Sequence, residues 1–503
     1  MDVISLKKIE ISPFNDYVMG LNEKDKNLID SFFVEFDIHC LLSKSHKTKM
    51  KEDFEKAILY YINNGKKLEE ALKLLDVSKL GGFYARDTSL WFPIDYGART
   101  YPITLKHGQM SVFRLAMNLK HEVVPELLQI ALTFTIKRFP SFATTLKKGV
   151  FWHYLDISRR RYYVYEENDI PCLPIKIYGT KSQSFRVMYY KNRISVEFFH
   201  ALTDGTGGME FLKSLVSEYL RLTGSVLEND GSIIDINDTP KTEEFENEFA
   251  NVKSTKTPSG FMDKRAVQIN GKLSVIKPCR VLHFKIATDK LKEKSKKYNC
   301  TITAYLLALF MMSFKYSSDA IKGEFSIQVP VNLRKFYPSK TLRNFTLYCG
   351  VRIPVEKSLE FEYMIKEIIK QLNEKASKEQ MTNMISSTKR LLTSTKFIPL
   401  IIKRPIVRLA YGFLSEPLFT TTFSNLGLVK MPKEYEKHID SVDFILGTLT
   451  HNRIALSAAS FNNTTVLSIA KNTIDPSFEE RLYQLFEDEG LVVTVEGSEI
   501  CEN

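Results

Sequence analysis

Apolar residues recur at helical spacing in the first part of the chain and at strand spacing further on. From Lys51 to Leu75 the text KEDFEKAILYYINNGKKLEEALKLL is amphipathic with a break at Asn63-Asn64-Gly65, which predicts two helices joined by a turn. Residues 1–80 therefore read as a helical extension. After Gly81-Gly82, strand-like and helix-like segments alternate: Met110 to Met117 (MSVFRLAM) predicts a strand and Glu122 to Phe139 a helix. Between Gly224 and Pro278 polar residues dominate, punctuated by Thr239-Pro240 and Thr257-Pro258-Ser259-Gly260, so this stretch reads as an inter-domain linker. Beyond it come a strand at Arg280 to Ile286, one helix from about Asp289 to Ser317, and a strand at Glu324 to Pro330. Such alternation predicts an α/β layered architecture in two halves of similar layout, with no internal sequence repeat. A basic amphipathic segment, IPLIIKRPIVRLAYGFL (Ile398 to Leu414), reads as a core helix with Lys403, Arg404 and Arg408 on its wet side, the alternative being a helix lying on a membrane surface.

Length and composition narrow this picture. A chain of 503 residues with 44% apolar and 26% charged residues has ordinary globular usage and is too long for one small core. The longest apolar run, Tyr305 to Phe314, is well short of the roughly 20 residues that span a bilayer. The opening MDVISLKKIEISPFNDYVMG lacks the apolar core and small-residue site of a secretory signal, so a soluble cytoplasmic protein is expected. Cys40, Cys172, Cys279, Cys300, Cys349 and Cys501 are scattered with no C-x-x-C pair, which indicates neither a metal site nor a disulfide framework. The net charge of +11 comes from separated clusters (Lys44 to Lys51, Arg159 to Arg161, Lys290 to Lys297, Lys403-Arg404). They are not interleaved with aromatics, and no zinc-finger or helix-turn-helix spacing is present, so no nucleic-acid partner is expected.

The segment richest in chemistry is Arg193 to Leu220, RISVEFFHALTDGTGGMEFLKSLVSEYL: an alternating strand, a polar turn and an amphipathic helix. His200 stands at the strand-to-loop junction, where an imidazole with an intrinsic pKa near 6.5 can take a proton from a hydroxyl or thiol and return it to a leaving group. Gly205, Gly207 and Gly208 permit a tight turn and a close approach of backbone to substrate. Taken alone, H-x-x-x-D-G equally describes a helix start capped by Thr203 or Asp204 behind a packed histidine. His153, in FWHYL, and His451 read as packing residues.

FFHALTDGTGG followed by a helix resembles the H-H-x-x-x-D-G signature of chloramphenicol acetyltransferase, peptide-synthetase condensation domains and alcohol O-acetyltransferases. In the second half, QVPVNLRKFYPSKTLRNF (Gln328 to Phe345) resembles the arginine-containing segment of these proteins, and TTTFSNLGLV (Thr420 to Val429) their S-N-x-G strand. GGFYARDTSLWFPID (Gly81 to Asp95) and RFPSFATTLKKGVFWHYLD (Arg138 to Asp156) are similar to bacterial alcohol-acetyltransferase-like proteins, so the resemblance runs from about Gly81 to the C-terminal region. Two departures stand out: Phe199 replaces the first of the paired histidines, and the D-F-G-W-G motif of plant acyltransferases is absent.

The resemblance implies two chloramphenicol-acetyltransferase-like domains forming a tunnel: 81–265 carrying HALTDG and 266–503 carrying VNLR and SNLG, behind the helical extension 1–80. It implies His200 as the general base, Asp204 as a buried structural residue paired with Arg334, and Gly205 in the turn. The oxyanion would be met by Asn425, Ser424 or a backbone N–H beside Gly427, a donor that lowers the barrier by about 3 kcal/mol. For Ser424 to Gly427 a plain β-turn is the alternative. The implied co-substrate is acyl-coenzyme A, with no tightly bound cofactor, and the acceptor is an alcohol or an amine. A stand-alone condensation-type transferase drawing on a carrier protein, and a silent binding protein of the same fold, are the competing functions.

Overall fold

The computed structural model describes residues 12–85, 90–105, 110–179, 182–257, 264–414, 418–448 and 452–497, with backbone alone at 104 and 408–414. The N-terminal helices are α1 (Pro13–Met19), α2 (Glu23–His39), α3 (Lys44–Asn63) and α4 (Leu68–Leu74). Ser12 and Asn22 cap the first two by accepting from the backbone N–H of Asn15 and Asp25. The break between α3 and α4 falls at the predicted Asn-Asn-Gly, with Gly65 at φ 79°, a conformation open to glycine at no steric cost. Their apolar faces join the first core. The Phe54 ring lies 6.0 Å from that of Phe134, and the Tyr61 hydroxyl donates to the Leu222 carbonyl at 2.5 Å. The extension is thus a wall of the first lobe.

That lobe contains β1 (Trp91–Pro93), α5 (Tyr101–Thr104), β2 (Val112–Leu119), α6 (Pro125–Ile136), β3 (Thr144–Lys148), β4 (His153–Ile157), β5 (Val164–Glu166), β6 (Phe185–Tyr190), β7 (Arg193–Phe199) and α7 (Gly205–Leu222). Every residue of α6 from Leu127 to Ile136 is buried, because the helix packs on both α3 and α7. The second lobe follows with α8 (Glu248–Asn251), β8 (Arg280–Ala287), α9 (Thr288–Lys297), α10 (Ile302–Tyr316), β9 (Glu324–Asn332), β10 (Thr346–Pro354), α11 (Phe361–Lys375), α12 (Lys378–Ser394), α13 (Leu400–Leu414), β11 (Thr421–Leu428), β12 (Ile439–Leu446), β13 (Ile454–Phe461), β14 (Thr464–Lys471), α14 (Ser477–Asp488) and β15 (Val493–Gly497).

A seven-stranded sheet of order β10-β9-β11-β13-β14-β8-β15 forms the second lobe, a five-stranded sheet β12-β2-β7-β6-β5 the first, and β1-β4-β3 a small third sheet. Although β12 lies late in the chain, it pairs antiparallel with β2, Phe444 opposite Leu115, and so stitches the lobes together. The polar segment after Gly224 also bridges them. Glu244 takes both ends of the Arg138 guanidinium at 2.6 Å, while Phe249 of α8 is buried against Phe345 in the second core.

Two expectations are corrected. The single helix expected from about Asp289 to Ser317 is two helices, because Asn299 takes a left-handed φ of 50° and Thr301 caps a new start by accepting from Ala304 N–H. The helix expected to keep Lys403 and Arg404 on its wet side is rotated: Lys403 is buried, Arg404 is half-buried, and Ile401 and Ile406 are 82% and 62% exposed. Its ammonium sits 3.4 Å from the centre of the Trp152 ring and donates to the Phe151 carbonyl at 3.0 Å, which fixes that face inward. The side chain of Arg408 lies outside the described residues. Among the described residues, no helix is long and apolar enough to cross a membrane.

Candidate active site

His200 follows the last residue of β7, a central strand flanked by β2 and β6 and buried on both faces. Its backbone N–H donates to the Ser111 carbonyl at 2.8 Å, which fixes where the side chain leaves the sheet. The imidazole is stacked on Tyr101 of α5 with ring centres 4.9 Å apart, and the edge contact with Phe113 is at 5.2 Å. Asn344 Nδ2 lies 3.0 Å from its Nδ1 and 3.1 Å from its carbonyl oxygen. Burial lowers the imidazole's pKa, outweighing the pull of its backbone hydrogen bond and of the Asp204 charge, so the ring is neutral at neutral pH.

Asp204 is the N-cap of α7: Oδ1 accepts from the N–H groups of Thr206 and Gly207 at 3.1 and 3.0 Å. Oδ2 accepts from Arg334 Nη1 at 2.7 Å, from Phe345 N–H at 2.8 Å and from the Thr346 hydroxyl at 3.1 Å. Burial pushes this carboxyl up, but the Arg334 charge and the hydrogen bonds prevail and hold it below the ordinary aspartate value. Arg334 in turn donates through Nη2 to the carbonyls of Thr341 and Arg343, both at 2.8 Å. The cap suggested by the position of Asp204 and the ion pair implied by the resemblance are held by one carboxylate.

Close approach explains Gly207, because a Cβ there would lie 2.0 Å from the Leu342 carbonyl oxygen, to which the Thr203 hydroxyl already donates at 2.6 Å. The second lobe therefore touches the first at the motif itself. A Cβ on Gly205 would meet Leu426 Cδ2 at 2.6 Å, so the Ser-Asn-Leu-Gly strand is also brought against the start of α7. In that strand the register shifts between Asn425 and Leu428, with Gly427 at φ 72°. Asn425 uses both ends of its amide to shape the bulge: Nδ2 donates to Thr303 Oγ1 at 3.1 Å and Oδ1 accepts from Gly427 N–H at 2.8 Å. Ser424 stands beside it, opposite Ser457 of β13.

Sequence reasoning missed the residues that surround the imidazole. Asn344 lies inside the quoted segment Gln328 to Phe345, but nothing local marks it as a partner of a histidine 144 positions away. A buried pair supports it: Arg343 bridges Asp95 at 3.1 Å, and Asp95 Oδ2 accepts from Asn344 N–H at 3.3 Å. Burial raises the Asp95 pKa to about 6 against the opposing Arg343 charge. His153 is a buried ring 6.3 Å from that of Tyr178, driven down to about 4 by burial and by the charges of Arg404 and Lys148. His451 lies outside the described residues.

Two surface cavities, of about 310 and 470 Å³, sit at the C-terminal end of α7 and beside Tyr84 and Arg159, apart from His200. Among the described residues no group of three or more His, Cys, Asp or Glu side chains could hold a metal ion. Cys40, Cys172, Cys279, Cys300 and Cys349 are free thiols, and Cys501 lies outside the described residues.

A family model described as alcohol acetyltransferase matches residues 260–397, which include Arg334 and Asn344. No curated protein matches the chain. Among solved structures it is similar to the trichothecene 15-O-acetyltransferase TRI3 from Fusarium sporotrichioides, at 13% identity and TM-score 0.52 over 80% of this chain and 94% of that one. It is also similar to TRI101 of F. graminearum complexed with coenzyme A and deoxynivalenol, at 10% identity and TM-score 0.54, covering 81% and 100%. A third is the epimerization domain of tyrocidine synthetase B, at 12% identity and TM-score 0.50, covering 80% and 95%. What is shared at such identities is the architecture, a two-lobed, chloramphenicol-acetyltransferase-like α/β fold.

Proposed function

We propose that this protein transfers an acyl group from acyl-coenzyme A to the hydroxyl of an alcohol, or to an amine, with His200 as general base. The observation that carries the proposal is a neutral, half-buried imidazole at the junction of two lobes, with its Nδ1 edge enclosed by polar groups. The opposite nitrogen, Nε2, receives the proton in the tautomer whose own proton resides on Nδ1 and points at the His200 carbonyl, and in that tautomer the Asn344 amide donates to the carbonyl and not to Nδ1. As the acceptor oxygen attacks the thioester carbon, Nε2 takes its proton. Collapse of the tetrahedral intermediate breaks the carbon–sulfur bond, and the proton passes to the departing thiolate, giving ester and free thiol with no covalent enzyme intermediate.

Asp204 is assigned to positioning, since its hydrogen bonds all go to protein groups. For the oxyanion the better side-chain donor is the Ser424 hydroxyl, because Asn425 is engaged in shaping its bulge. Coenzyme A in the complex with TRI101 supports the choice of donor, and the alcohol acetyltransferase model supports a hydroxyl acceptor.

The test is release of free thiol from acetyl-coenzyme A with a panel of alcohols and amines, comparing the native chain with His200→Ala. Acceptor-dependent release that disappears in the variant is expected. Equal release by both proteins would remove His200 from the chemistry, and release by neither would move the donor to a carrier-protein thioester or point to a silent fold.

A further inference from the structure

The outward rotation of α13 has a counterpart across a loop. The turn joining β3 to β4 carries Val150, 70% exposed, whose carbonyl accepts from Leu400 N–H at 2.8 Å. Phe397, 73% exposed, lies just before the helix, and Leu391 is exposed on α12. Ile401, Ile402 and Ile406 are exposed on α13, and the hairpin tip is joined to the start of that helix by the Leu400–Val150 hydrogen bond and by the rings of Phe151 and Phe397, 6.3 Å apart. Scattered apolar side chains at a surface mean little, but a contiguous set built from two separate chain segments marks a contact surface.

Charge identifies what it contacts. From Lys389 to Val407 the chain carries no acidic residue and exposes Arg390 and Lys396, Lys403 being turned inward onto Trp152, and from Thr144 to Leu155 it exposes Lys147 and Lys148 and again carries no acid. Lys147 and Lys148 are exposed three and two positions before Val150, and the exposed Lys396 holds its ammonium 4.6 Å from the centre of the Phe397 ring. A second copy of this chain on the same face would bring these cations against one another, whereas an anionic surface would pair with them. Exposed isoleucine and phenylalanine ringed by lysine is the composition that seats a helix at the boundary between phosphates and acyl chains. The face also lies next to the chemistry, since α13 packs on α5, whose Tyr101 stacks on His200.

We propose that the tip of the β3–β4 hairpin and the outer face of α13 dock this protein on an anionic lipid surface, lying on it without crossing it. The isoleucines enter the headgroup region and the lysines meet lipid phosphates. This inference stands apart from the acyl-transfer proposal, because lipid binding and thiol release are measured separately.

The experiment is flotation of the full chain with vesicles of phosphatidylcholine alone and of phosphatidylcholine mixed with phosphatidylglycerol, at low and raised salt. Binding to the mixed vesicles is expected to be about tenfold tighter than to the neutral ones and to weaken with salt. The double variant Ile401→Glu, Ile406→Glu, with an unchanged thermal melting curve, should lose about tenfold in vesicle binding. Ile321→Glu, a change at a distant residue that is 77% exposed, should leave binding unchanged. Binding to neither vesicle, equal binding to both, or insensitivity to the double variant would each overturn the proposal. So would a solution dimer that the double variant dissociates, which would assign the face to a second copy.

Discussion

His200 and Asp204 are four residues apart on one turn and live in opposite surroundings. Asp204 accepts five hydrogen bonds from protein groups and is held charged. His200 is wrapped by the rings of Tyr101 and Phe113, meets one side-chain amide, and is held neutral. A carboxylate with every lone pair directed at the protein is poorly suited to exchange protons with a substrate, while a desolvated neutral imidazole is suited to accept one. The contrast separates the residue that holds the site from the one assigned its chemistry.

The strongest attempt to break this contrast is His200→Ala, which should lower kcat by about 10² to 10⁴-fold in the thiol-release assay while leaving the melting temperature nearly unchanged. Asp204→Ala should do the reverse in kind. It leaves the Arg334 guanidinium without its carboxylate, destabilising the fold by about 3–5 kcal/mol in denaturant unfolding. Because the folded pKa of Asp204 is depressed, its stabilising contribution is fully present above the unfolded value of 3.8 and is lost as pH falls through the folded one. Asp204→Asn should therefore flatten the acid limb of the unfolding curve.

Ser424→Ala sharpens the comparison on the substrate side, with an expected loss of about a hundredfold in kcat at little change in KM if the hydroxyl meets the oxyanion. The smallest expected effect is that of Asn344→Ala. In the native protein kcat/KM should be flat at neutral pH and fall only as pH drops below a midpoint lying under the ordinary histidine value of 6.5. Opening the Nδ1 edge to water should move that midpoint up toward 6.5, a shift that mere loss of stability would not produce.

Much of the local structure was legible. The Asn-Asn-Gly break between α3 and α4, the β7-turn-α7 unit and the capping of α7 by Asp204 all follow from residues within a few positions of one another. The single helix drawn through Asn299 failed because periodicity alone does not register one asparagine in a left-handed turn. The orientation of α13 failed for a different reason. Its pattern of isoleucines and basic residues is amphipathic either way, and only the ring of Trp152, some 250 positions upstream, draws Lys403 inward.

By itself, then, the sequence determined the break between α3 and α4, the strand β7 and the helix that follows it, and that a histidine and an aspartate bracket that turn. Those are short-range consequences of periodicity, glycine freedom and capping. Tertiary structure alone decided that β12 crosses to pair with β2, that Asn344 reaches the His200 ring, that Leu342 and Leu426 from the second lobe close against Gly207 and Gly205, and that isoleucines of α13 face outward. Each of these depends on packing between residues a hundred or more positions apart, or on which of two faces finds a partner, and no local pattern along the chain encodes such a choice.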